Sequence, residues 1–122
     1  MGKRTRRLIV LLSVGAVLCG CSNSGTAMRS ERIIPWTEYE VSGERELNFT
    51  VNTGDPQCYG TRTVVKETGR SLQAAIVEGV LPDAPETCTA VGLIKNLTVT
   101  TESVAQDLKV HPLPVEEVEL NP

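Results

Sequence analysis

The sequence predicts an all-β fold, a small antiparallel β-sandwich of about six short strands, and three observations carry that expectation. From Glu46 to Thr53, Leu47, Phe49 and Val51 alternate with Asn48, Thr50 and Asn52, the period of a strand with one dry and one wet face. Turn chemistry recurs along the chain: Gly54-Asp55-Pro56, then Thr68-Gly69-Arg70, then Pro82 and Pro85. Cys58 and Cys88 stand as an even pair about thirty residues apart, a spacing at which a disulfide staples a small fold.

The chain opens with Lys3, Arg4, Arg6 and Arg7, followed by an uncharged and mostly apolar run over residues 8–18. A basic start before a short apolar run is the order of a secretory signal. Eleven residues fall short of the roughly twenty that a membrane-spanning helix needs. The small polar residues 22–26 follow at once, which argues against a permanent span. Thr5-Arg6-Arg7-Leu8-Ile9 touches the twin-arginine export pattern. Paired arginines occur in any basic start, so the general secretory route is the expectation and the other stays open.

The run closes on Leu18-Cys19-Gly20-Cys21, which resembles the lipobox of bacterial lipoproteins: a branched apolar residue, two small residues, then cysteine. Cys19 is the unusual occupant. The resemblance implies cleavage between Gly20 and Cys21, a diacylglycerol thioether on Cys21, and in many bacteria a further acyl group on its amine. Two or three chains on one residue give stable retention where one chain gives only marginal binding. Ser22 stands where some bacteria with two membranes carry the aspartate linked to inner-membrane retention.

The organisation expected is therefore a signal peptide over 1–20, a lipidated cysteine and flexible tether over 21–31, a β-sandwich over 32–111, and an acidic, proline-containing tail over 112–122. Cleavage leaves 102 residues, enough for one domain. Of 12 basic and 15 acidic side chains, four basic ones leave with the signal, so the mature part holds 8 against 15, a net charge of −7. That balance argues against nucleic acid as a partner and against an electrostatic grip on anionic lipid. Cys19 leaves and Cys21 is taken by lipid, so Cys58 and Cys88 are expected to pair in an oxidising compartment.

Along the mature chain, residues 22–31 bury little and read as tether. Pro35 confines Ile33-Ile34-Pro35-Trp36 to an edge or a strand beginning, and Trp36, the only tryptophan, reads as a plug at the core's rim. Residues 37–41 alternate weakly, and residues 61–67 form a Thr- and Val-rich strand that a hairpin closes at Gly69. Residues 71–81 fit a strand through Leu72, Ala74 and Ile76, and a helix equally well through Leu72, Ala75, Ile76, Gly79 and Val80. The strand is the expectation, because Gly79 weakens a short helix and the preceding strand needs a neighbour. Residues 88–94 and 96–101 resume extended structure, with a kink or bulge at Lys95-Asn96, and residues 108–110 form a last short strand. Pro112 and Pro114, with Glu116, Glu117 and Glu119 after them, then predict a frayed tail. The pattern from Cys58 through Val64-Val65-Lys66-Glu67-Thr68 to Cys88-Thr89-Ala90-Val91 resembles small bacterial lipoproteins of unknown function, which implies an immunoglobulin-like domain and no activity.

Chemistry is sparse. An acyl-transfer triad needs a histidine base, and the lone His111 lies against Pro112 at the tail. No spacing singles out a carboxylate pair, and no glycine-rich phosphate loop is present. Glu116, Glu117, Glu119 and His111 read as a solvated tail rather than a cation site. Asn48-Phe49-Thr50 and Asn96-Leu97-Thr98 match the glycosylation triplet by chance, given a bacterial lipobox. No catalytic, metal or cofactor site is nominated. The expectation is a non-enzymatic binding or structural module held in the cell envelope, with an envelope protein or polymer as partner. The alternatives are a carrier of an apolar or lipidic ligand and, behind it, a small hydrolase.

Overall fold

The structure, a computed structural model, describes residues 27–122. The residues expected to form a signal segment and a lipobox, Cys21 among them, lie outside the described residues. Seven strands follow in order: β1 (Arg29–Ile34), β2 (Trp36–Gly43), β3 (Glu46–Thr53), β4 (Tyr59–Thr68), β5 (Ser71–Val80), β6 (Leu93–Thr100) and β7 (Lys109–Pro112). Single 3-10 turns at Ala105–Asp107 and Val115–Glu117 flank β7. The fold is all-β, with two sheets in a sandwich-like arrangement. Among the described residues, no helix is long and apolar enough to cross a membrane.

One sheet runs β2-β3-β6, antiparallel throughout. Tyr39 and Leu97 flank Phe49, and Val41 and Val99 flank Leu47, so one face is apolar. The other face carries Glu38, Glu40, Asn48, Thr50, Asn96 and Thr98, and the Thr50 hydroxyl donates to Asn96 Oδ1 at 2.9 Å.

The second sheet is built on β5. Along one edge β5 pairs with β4 over its whole length, and Gly69 at φ 57° supplies the first central residue of the two-residue turn between them. Along the other edge β5 pairs with two strands end to end: β1 antiparallel over Ile76–Val80 and β7 parallel over Ser71–Ala74. Residues 71–81 are thus a strand up to Val80, as expected.

Between the sheets lie Ile34, Leu47, Phe49, Val51, Leu72, Ala74, Ile76 and Val99, with Trp36, Leu97 and Val110 half-buried around them. Trp36 does sit at the rim, edge-on to Phe49 and Tyr39, with its Nε1 donating to the Ala74 carbonyl at 3.0 Å.

A second apolar cluster lies on the far side of β5, where Ala75 and Val77 meet Leu113 and Val118, with Ile33 and Val64 beside them. Here the expectation of a frayed tail is corrected. Residues 113–121 lie along the outer face of the β5 sheet, where Leu113 and Val118 cover Ala75 and Val77 and Asn121 is bonded to Glu31. The tether is corrected as well: Met28 is buried and β1 begins at Arg29, inside the span expected to be flexible. Met28 fits because Gly60 and Gly79 face each other across β4 and β5; a Cβ on Gly79 would come within 2.7 Å of Met28 Cβ. The extended run expected at 88–94 begins only at Leu93.

The Cys58–Cys88 disulfide forms, with 6.1 Å between its Cα atoms. It ties the turn before β4 to the loop of residues 81–92, rather than joining two strands or the two sheets.

Candidate functional site

The described surface offers one apolar recess with a clear structural origin. On the β5 edge, β1 ends at Ile34, before Pro35, with Ile34 opposite Ile76, and β7 ends at Pro112, opposite Ala74. Neither strand pairs with Ala75, and a seam is left between them. Its floor is the Ala74-Ala75 stretch of β5. Its walls are Ile33, Ile34 and Trp36 on one side and Leu113 and Val115 on the other, enclosing about 350 Å³. Val115 stands at the lip, 65% exposed. The Ala74 carbonyl accepts from both Trp36 Nε1 and Leu113 N, the latter at 2.9 Å, so the seam's backbone is satisfied without a ligand.

Two buried carboxylates frame the same sheet. Glu78 receives the Thr53 hydroxyl at 2.5 Å, Gly54 N at 2.9 Å and Arg32 Nη2 at 2.6 Å. Burial pushes its carboxyl up, but those three donors together outweigh burial and hold it below the usual carboxylate range. Glu31 takes a two-pronged contact from Arg62, at 2.8 and 3.0 Å, and the Asn121 N–H at 2.8 Å. The Arg62 hydrogen bonds, ahead of the backbone bond from Asn121, lower the Glu31 carboxyl, and Glu31 raises Arg62 in turn. Arg62 also donates to the Glu119 carbonyl at 2.7 Å, so this pair fastens the tail. Glu67 accepts from the backbone of Glu102 and Ser103, which lowers its carboxyl too. These acids are structural fasteners.

His111 lies exposed on β7 opposite Gln73, and no carboxylate bonds to it among the described residues. Glu117 pairs with Lys66 at 3.2 Å instead of joining His111. No group of three or more His, Cys, Asp or Glu side chains among the described residues is placed to hold a metal ion. Cys58 and Cys88 are brought together; Cys21 lies outside the described residues. The groove residues Ile33, Ala74, Ala75, Leu113 and Val115 were not nominated from the sequence. Their signal was weak: two small residues in an otherwise bulky run, and two prolines 77 positions apart that only the fold brings together.

The chain matches no known family model, and neither the curated proteins nor the solved structures give a match.

Proposed function

We propose that this chain is a lipid-anchored protein of the bacterial cell envelope, exported and held through acyl chains on Cys21, and that its domain is a non-enzymatic binding module. The anchor is supported by a basic start, a short apolar run and Leu18-Cys19-Gly20-Cys21 in that order. The binding role is carried by one observation, the apolar seam between β1 and β7. It would take one or two apolar side chains of an extended segment from another envelope protein, with Trp36 and Val115 as the contacts at its mouth. The seam is small for a lipid carrier and lies at a sheet edge, outside the packed space between the sheets. A hydrolase would need His111 in a pocket with carboxylates.

The likeness to immunoglobulin-like lipoprotein domains extends to a two-sheet sandwich. A constant-type domain divides its strands ABED and CFG. Here β2 shares a sheet with β3, and β7 joins the other sheet in parallel.

A photo-crosslinking residue at Val115, in cells carrying the intact leader, tests the binding role. A single protein adduct is expected, reduced when Cys21→Ser removes the anchor. Adducts to lipid alone would favour the carrier, and none at either Val115 or Ile33 would remove the groove from consideration.

A further inference from the structure

The domain has two unlike ends. At one end β1, β4 and β6 begin and β3 and β5 finish, as the pairings Arg29↔Val80, Tyr59↔Val80 and Thr53↔Leu93 require. Glu78 to Thr53 and Lys95 Nζ to Thr61 Oγ1, 2.7 Å, join the two sheets there. The N-terminal segment enters at this end, with Met28 seated over Gly60 and Gly79. Cys21 precedes Ala27 by six residues, a reach of at most about 20 Å.

The same end carries the loop of residues 81–92 and the start of β6, where Val91, Leu93 and Ile94 are exposed, Ile94 by 76%. Single exposed aliphatics are ordinary. These residues lie close together along the chain, run on from the exposed Ala90, and follow a loop fastened by the Cys58–Cys88 disulfide and by Leu81 N donating to the Cys58 carbonyl at 2.8 Å.

Charge divides along the same line. Residues 28–32, 53–62, 78–95 and 119–122, the last held here by Asn121 on Glu31 and by the Glu119 carbonyl on Arg62, form this end and hold four cations against six carboxylates, and two of those carboxylates, Glu31 and Glu78, are buried against arginine. The rest of residues 27–122 holds four cations against nine carboxylates. A body with its net negative charge at one end and its exposed aliphatics at the other, beside the chain's point of entry, orients itself at a lipid surface.

We propose that this end of the domain rests on the membrane, with Val91, Leu93 and Ile94 entering the headgroup region and the acidic end facing away. The proposal takes the anchor at Cys21 from the function proposed above. It places the seam at Trp36 part-way up the domain, clear of the lipid.

The test uses Ile94→Trp in the full chain, purified from membranes and reconstituted into phosphatidylcholine vesicles containing brominated lipid, with Glu44→Trp at the opposite hairpin as control. Emission is corrected for Trp36. Mass spectrometry of the same preparation reports separately whether Cys21 carries lipid; if it does not, coupling its thiol to a maleimide lipid supplies the tether. Ile94→Trp is expected to lose about half its emission, as a side chain ~5–10 Å into the interface would, and Glu44→Trp none. No quenching at Ile94→Trp on tethered protein, or equal quenching at both sites, overturns the proposal whatever the state of Cys21.

Discussion

The two sheets share a core but meet solvent differently. The β2-β3-β6 sheet is dry on one face and wet on the other: Leu47, Phe49 and Val51 point inward while Asn48, Thr50 and Asn52 point out. The central strand of the other sheet, β5, is covered on both faces, by the opposite sheet on one side and by the chain's own last ten residues on the other. A strand that is half wet must alternate; a strand covered twice need not. The difference teaches where sequence patterns hold and where a distant segment overrides them.

The sharpest way to break the comparison is the same change on each outer face. Val77→Asp places a charge beneath the tail and is expected to destabilise the domain by about 4 kcal/mol or more, the range of buried unpaired charges. Asn52→Asp, on the outer face of the other sheet, should shift stability by less than about 0.5 kcal/mol. Urea titration of both variants decides this, and similar midpoints would mean that the tail does not bury its sheet.

Removing the disulfide with Cys58→Ser and Cys88→Ser should cost about 3.5 kcal/mol, the chain-entropy value for a loop closed across 30 residues. The loss should appear in the thermal midpoint of the oxidised wild type against the double variant. Arg62→Ala leaves Glu31 buried without its cation and releases the Glu119 carbonyl, costing about 2–3 kcal/mol, with the half-exposed guanidinium setting the lower bound. Limited proteolysis should then cut within residues 113–121 before it cuts β3.

The smallest effect is on pH. Glu31, Glu67 and Glu78 all titrate below their ordinary value of 4.5 in the folded state. Their contribution to stability is therefore complete above about pH 4.5 and is lost as pH falls through the lowered folded values. Glu31→Gln should flatten that acid limb in a series of urea midpoints taken between about pH 3 and pH 6; an unchanged slope would mean that the clasp does not discriminate between charged and neutral carboxyl.

Much of the fold was legible for the same reason that β3 was. Its alternation, the Gly69 turn and the cysteine pair needed only local chemistry. The β5 stretch was ambiguous because Ala75 and Val77 are apolar on its outer face, where a lone sheet would be wet; that pattern fits a helix as well. The tail was misread for the complementary reason. Its glutamates and prolines suggest fraying, and nothing local marks Leu113 and Val118, which do the covering, as core residues. Neither segment explains itself, because each is the other's environment. The groove was invisible on the same grounds, since its walls come from residues 33–36 and 112–115.

The function proposed rests on Cys21. Mass spectrometry of the protein extracted from membranes tests it most directly. The expected result is an N-terminal peptide beginning at Cys21 with a mass increment of diacylglycerol, with or without a further acyl chain. A chain that retains residues 1–20, or one that begins elsewhere with an unmodified Cys21 thiol, would contradict the account.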